Sequence, residues 1–401
     1  MSKKSSYDAL VIGLGAMGSA TLYHLAKAGV RVLGIDQFAP PHPHGSSHGE
    51  TRITRLAIGE GERYTPFALR SHELWRDLEK EHNTKLLFPV GGLVIGDSAG
   101  KGLFHNKPDF LGTTISAAQT HGIRHDILSS QELRKRFPQF NVTPNESAYF
   151  EYEAGYLNPE ECIRTQLQGA QKHCATIKTN QRVSGIRQTP LGTIEVITDD
   201  GTYSAEQIVV TAGPWTQKLF PDTFPTLRVT RQTLHWFPTG PHHAFFSPER
   251  CPVFIWSFSD REDGIYGFPA VDGPRGGIKL ASERYESSVD PDHVDRVVPE
   301  RATTTFFNDY IKDRMPHLSL PCIRHTTCLY TVTPNSDFVI GRLPYLPQCL
   351  AISACSGHGF KHSAAVGEAA AQFITQGSSV LPLDAFPIPY TAPASPPNHL
   401  I

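Results

Sequence analysis

The chain has 401 residues, 39% hydrophobic and 19% charged, with a formal charge of -2, a makeup that suits a soluble globular protein with room for two domains. So small a net charge gives no attraction to nucleic acid or an anionic membrane, and no apolar run nears the roughly 20 residues that span a bilayer. Seven unpatterned cysteines and 19 scattered histidines argue against a disulfide framework and against a metal site.

Residues 8–12 read as a short buried strand, 16–28 as a helix by apolar spacing, and 32–35 as a second strand. The only early apolar segment ends in a glycine loop, so no signal peptide is expected and the cytoplasm is the default location. Pro40, Pro41 and Pro43 break the chain ahead of Gly45-Ser46-Ser47-His48-Gly49-Glu50-Thr51-Arg52. A helix is predicted from Thr65-Pro66, with Thr65 as its cap and Phe67, Leu74, Trp75 and Leu78 on its buried face. A strand region around 86–95 follows.

Asn158-Pro159 marks another helix start, leading to strands near 176–187, 193–198 and 207–211. From about 226 to 333, β-branched and aromatic runs predict a largely antiparallel sheet, interrupted by a helix around 302–314. Strands at 338–340 and 350–353 then look buried again. They precede Ser356-Gly357-His358-Gly359-Phe360-Lys361, an alanine-rich helix to about 375 and a Pro-rich surface tail. The fold class expected is α/β: a Rossmann-like domain split over 1–228 and 334–401, with a mostly antiparallel substrate domain inserted at 229–333. Residues 87–154 are candidates to pack with the insert.

Gly13, Gly15 and Gly18 match G-x-G-x-x-G between a strand and a helix. The first permits a tight turn, the second admits a pyrophosphate to the backbone, and the third lets the helix pack on the strand. Ala16 and Met17 open that helix, whose N-terminus favours an anion. Asp36 ends the second strand, where a carboxylate accepts from ribose hydroxyls and repels the 2′-phosphate of NADP. The loop alone does not separate FAD from NAD; its N-terminal placement favours FAD.

Further motifs are Gly45 to Arg52 continuing through Ile53-Thr54-Arg55, then Gly264-Ile265-Tyr266-Gly267-Phe268-Pro269, Cys328-Leu329-Tyr330-Thr331 and Ser356 to Lys361. In that order they resemble the monomeric sarcosine oxidase and N-methyl-L-tryptophan oxidase family of FAD-dependent amine oxidases, over nearly the whole chain. A lone cysteine is ordinarily a small buried hydrophobe. The resemblance instead implies that Cys328 forms a thioether to the flavin 8α carbon, while Cys355 only packs.

It also implies that Arg52 lies against the flavin with His48 near, and that Arg55 and Lys361 bind the substrate carboxylate, as a planar fork and a point charge. Lys279, a charge in an apolar strand pattern, takes the place of the lysine that promotes reaction with oxygen. Tyr266 and Tyr330 fall at cavity tyrosines. The segment Gly357, His358, Gly359, Phe360 and Lys361 would face the flavin edge that becomes negative on reduction. Ser46, Val183, Gly213 and Trp215 complete the expected cofactor contacts.

Two positions depart from the family. Glu283 stands where its best-known members have histidine, and Ser47 where a second histidine is common. Glu283 would favour a more cationic or polar substrate, or pair with Lys279 or Arg284. His48 and Glu283 are the candidate bases.

The implied activity is oxidation of a secondary (N-methyl) amino acid such as sarcosine by a monomer. A hydride equivalent passes to flavin N5, the imine is hydrolysed, and O₂ reoxidises the flavin to give H₂O₂. Oxidation of pipecolate, proline or a fructosyl amino acid is the alternative. So are a dehydrogenase with a non-oxygen acceptor and a flavoprotein without turnover.

Overall fold

A computed structural model describes residues 6–389 apart from 191, 284 and 286; Arg284 and most of the Pro-rich tail lie outside the described residues. Strand Ser6–Ile12 runs parallel to Val32–Ile35 on one side and to Gly201–Val210 on the other. Thr176–Lys178 adds beyond Val32–Ile35, and Leu346–Ser353 beyond Gly201–Val210, both in parallel. Strands covered on both faces account for unbroken apolar runs such as 9–12 and 208–210, all buried. The late return of Leu346–Ser353 to a sheet begun at residue 6 makes the unit discontinuous in sequence.

Helix Ala16–Lys27 packs against Pro159–Lys172 and Ser363–Gln376. Small residues let the first and last approach closely: a Cβ on Gly367 would lie 2.4 Å from Ala20 Cβ. Asn158 caps its helix by accepting from Glu161 N–H at 2.9 Å, as the sequence predicts. Thr65 does not cap. A 3-10 turn over Glu62–Tyr64 precedes it, its dihedrals are already helical, and its hydroxyl is buried without a hydrogen-bond partner. The chain thus enters this helix one turn before the cap–proline pattern suggests.

A second sheet has eight strands in the order Arg324–Val332, Arg228–Phe237, Ile278–Ser282, Gly264–Phe268, Val253–Ser257, Gly92–Asp97, Glu146–Glu151 and His125–Ser129. Its pairings are antiparallel except that between Val253–Ser257 and Gly92–Asp97. Five strands therefore come from 228–332 and three from 92–151. Phe140, Phe237, Phe254, Trp256 and Phe306 fill the core of this layer. The helix expected at 302–314 is Glu300–Phe306, which loosens into a π turn over Phe307–Ile311. Among the described residues no helix is long and apolar enough to cross a membrane.

Candidate active site

The turn after Ser6–Ile12 opens onto a cavity of about 580 Å³. Its shape fits a dinucleotide. Gly13 has φ +87°, and a Cβ there would meet Thr211 O at 2.7 Å. A Cβ on Gly18 would stand 1.7 Å from Gly13 O, so the helix is pressed against its own loop. A Cβ on Gly15 would meet nothing nearer than Ser47 Oγ at 3.6 Å, which leaves the backbone open to an anion. The helix carries no side-chain cap, though Ala16 N–H donates to Ser47 Oγ at 3.3 Å. Asp36 accepts Leu14 N–H at 2.7 Å and Phe38 N–H at 2.8 Å. Those bonds fix the loop, and a carboxylate has further lone pairs for ribose hydroxyls.

Gly13, Gly15, Ala16, Met17 and Asp36 all line this cavity, as do Ser46, Arg52, Val183, Gly213 and Trp215. Tyr330, Gly357, Gly359 and Phe360 form its other end. Gly18, Cys328, His358 and Lys361 stand off the wall. Cys355, expected only to pack, is on it. Cys328 lies on Arg324–Val332, 1% exposed, with Sγ 3.5 Å from Arg52 Nη2 and 3.6 Å from Ser46 O. It therefore touches two cavity residues, and burial raises its thiol against the opposing pull of Arg52.

Lys279, on Ile278–Ser282, is 2% exposed and lines neither this cavity nor the smaller one beside it. Its Nζ donates to Gly49 O at 2.7 Å, Thr51 O at 2.8 Å and Thr51 Oγ1 at 2.7 Å. Burial, and then Arg52, depress its ammonium well below the ordinary lysine value. The lysine so fastens the loop that carries Arg52. His48, in the same loop, is held neutral: burial, followed by Arg52, lowers it to about 3.

The smaller cavity, of about 60 Å³, is bounded by Arg55, Glu60, His105, Tyr266, Glu283 and Lys361, and it meets the larger one at Arg52, Tyr330, Gly357 and Phe360. The expected carboxylate-binding pair is here, but it already holds an anion. Glu60 Oε2 accepts from Arg55 Nη2 at 2.5 Å, and Glu60 Oε1 lies 3.3 Å from Lys361 Nζ. Burial alone would raise Glu60, yet Arg55, Lys361 and His105 keep its carboxyl well below the usual range. Burial lowers Lys361 to about 8, with Glu60 opposing.

His105 sets its Nε2 against Glu283 Oε1 in a short contact, and its Nδ1 is 3.0 Å from Glu60 Oε1. Burial works against its proton, but Glu283 and Glu60 prevail and raise it. Glu283 thus pairs with His105, and with Tyr285 OH at 2.8 Å, rather than with Lys279. Tyr266 OH and Tyr330 OH meet at 3.0 Å. Glu60, His105 and Tyr285 carry no sequence signal: a glutamate between two glycines, a histidine before Asn106 in a turn, and a tyrosine past the end of a strand.

His358 shapes the turn between the cavities, its Nε2 2.8 Å from Ser336 O. Ser356 N–H donates to Thr331 O at 2.8 Å, tying this turn to the strand of Cys328 and Tyr330. The helix that follows, Ser363–Gln376, starts immediately behind it.

Residues 8–373 match the family model described as FAD dependent oxidoreductase. The monomeric sarcosine oxidase of Streptomyces avermitilis is 35% identical over 95% of this chain and 97% of its own length. The N-methyl-L-tryptophan oxidase of Yersinia pestis is 35% identical over 95% and 98%. Among solved structures, NikD, an unusual amino acid oxidase essential for nikkomycin biosynthesis, superposes with TM-score 0.80 over 96% of this chain and 98% of its own, at 21% identity. L-proline dehydrogenase from P. horikoshii gives 0.78 over 96% and 97%, at 20%; likeness at that identity speaks for the fold alone. With a glycine loop and cavity fit for a dinucleotide, and relatives matched along nearly their full length, the chain belongs to the FAD dependent oxidoreductase family and is an amine oxidoreductase within it.

Proposed function

We propose that the chain oxidises a small secondary (N-methyl) α-amino acid such as sarcosine, releasing an imine for hydrolysis, with O₂ as acceptor and H₂O₂ as product. The observation that carries this reading is the charge of the Glu60 network. Among the described residues lining the small cavity, Arg52, Arg55 and Lys361 outnumber the carboxylates Glu60 and Glu283, so formal positive charge is left over for a ligand bearing a carboxylate. That surplus lies beside the Gly357 turn, where the two cavities meet. The sarcosine and N-methyltryptophan oxidases among the relatives support the same substrate class.

FAD, when bound, supplies a two-electron acceptor that takes a hydride equivalent from the amine carbon and passes the electrons to oxygen. Arg55 and Lys361 hold the carboxylate, and the Tyr266–Tyr330 pair walls the reacting end. Glu283, fixed by His105 and Tyr285, accepts the proton that an amino acid's ammonium must lose before it yields a hydride. Lys279, clamped on Gly49 and Thr51 close to Arg52, would in its ammonium form favour negative charge arising on oxygen. Cys328 is the proposed tether to the flavin, and the protein acts as a monomer.

Peroxide formation from sarcosine, N-methyl-L-tryptophan, L-proline, pipecolate and fructosyl-glycine tests the substrate. Sarcosine is expected to lead; anaerobic failure of every amine to bleach the flavin would sink the reading. Acid precipitation tests the tether. Yellow colour should stay in the pellet of the wild-type protein and leave it in Cys328→Ser. Colour lost only in Cys355→Ser would move the bond to the other thiol.

A further inference from the structure

Leu103–Phe104 and Lys107–Pro108 form a two-stranded hairpin whose turn residues, His105 and Asn106, both have positive φ (51° and 56°). Such turns normally point a short polar residue at solvent. This one points inward, and His105 is 5% exposed. Its ring joins two carboxylates from distant parts of the chain, Glu60 and Glu283. The hairpin is pinned outside the cavity as well, by Asn106 Nδ2 to Ser336 Oγ at 3.1 Å and Lys107 Nζ to Asp337 Oδ1 at 3.0 Å. Phe104 and His105 are both cavity walls. A Cβ on Gly357 would come within 3.1 Å of His105 Nε2, so the hairpin tip reaches the turn that borders the larger cavity.

We propose that this hairpin closes the substrate cavity and that His105 is the residue that sets substrate size, admitting an N-alkyl amino acid with little or no side chain and refusing an aromatic one. The inference rests on the proposed amine oxidation and deepens it. The space decides the magnitude. One water needs roughly 10–15 Å³, so the cavity's volume of about 60 Å³ suits a molecule of sarcosine's size better than one carrying an indole, which would press on the hairpin tip. Glu60 and Glu283 hold His105 from two sides, with His358 at 5.3 Å ring to ring. The wall is a cross-link and not a loose side chain.

The test is kcat/KM for sarcosine and for N-methyl-L-tryptophan in the wild-type holoenzyme, His105→Gly and His105→Asn; asparagine keeps the left-handed turn. The wild type should prefer sarcosine. Both variants should shift the ratio toward the aromatic substrate by more than about tenfold, glycine further than asparagine, through a lower KM for that substrate. Titration of the bound flavin's absorbance with indole-3-acetate should show tighter binding in the variants, with acetate changing less. A ratio within about threefold of wild type in variants that retain FAD and melt normally overturns the inference. If His105→Gly loses FAD, His105→Asn alone decides. Should the wild type oxidise neither amine, the functional reading falls and takes this one with it; amine oxidation with an unmoved ratio defeats this one only.

Discussion

Glu60 changes the meaning of Arg55 and Lys361. Two buried cations facing an apolar wall would each be costly, and a buried carboxylate between them makes the pair tolerable while leaving it short of neutral. Lys361 is the adjustable member, because burial brings its ammonium to about 8. Its charge is present below that pH and is lost as pH rises through it. Binding of a simple carboxylate such as acetate, followed by flavin absorbance, should therefore weaken on the order of tenfold between neutral pH and well above 8. In Lys361→Arg the affinity should stay flat over that range, since a guanidinium keeps its proton; a wild-type profile equally flat would remove Lys361 from the carboxylate site. The two candidate bases also part company at this scale. His48 is neutral and outside the small cavity, whereas Glu283 is on its wall.

The glycine loop shows that one motif combines two separable demands. Gly18 serves the protein's own packing: its Cβ would strike Gly13 O. Gly15 serves the ligand: a methyl there meets only Ser47 Oγ at van der Waals distance. Gly18→Ala is expected to destabilise the apoprotein by several kcal/mol, on the order of 3. Gly15→Ala should melt within a few degrees of wild type, equivalent to about 0.5 kcal/mol, yet bind FAD far more weakly. Differential scanning calorimetry on apoprotein and fluorescence titration with FAD separate the two; equal melting losses would show that the loop tolerates neither methyl for the same reason.

This strand–loop–helix unit was legible in the sequence because its period, glycines and terminal acid agree. The hairpin of His105 was not. Strands of two residues have no period, and the histidine faces inward only because Glu60 and Glu283 are there to receive it. Thr65 misled for a related reason: a cap–proline pair describes a local start, while the turn packed ahead of it had already begun the helix.

At the scale of the whole molecule, the segment from 45 to 55 is held between the second sheet and the start of the glycine-loop helix, where Ser47 accepts from Ala16 N–H. Lys279 reaches it from the eight-stranded sheet and holds Gly49 and Thr51, while Arg52 extends from it toward Cys328. Lys279→Met keeps the bulk and removes the amine. Stopped-flow mixing of the reduced protein with O₂ should then show reoxidation slower by more than about 100-fold, with anaerobic reduction by substrate affected less. Unchanged oxygen reactivity would leave Lys279 a structural clamp alone.

By itself the sequence determined the dinucleotide loop and the α/β class, since periodicity and turn chemistry are local properties of the chain, whereas the cations of the site were expected through the family resemblance. Only the tertiary structure decided which charges meet. Glu60, His105 and Glu283 come from three separate segments, and Lys279 turns to a backbone loop rather than to Glu283. Such pairings depend on which buried groups must share partners once water is excluded, and that is settled by packing and not by neighbours in sequence.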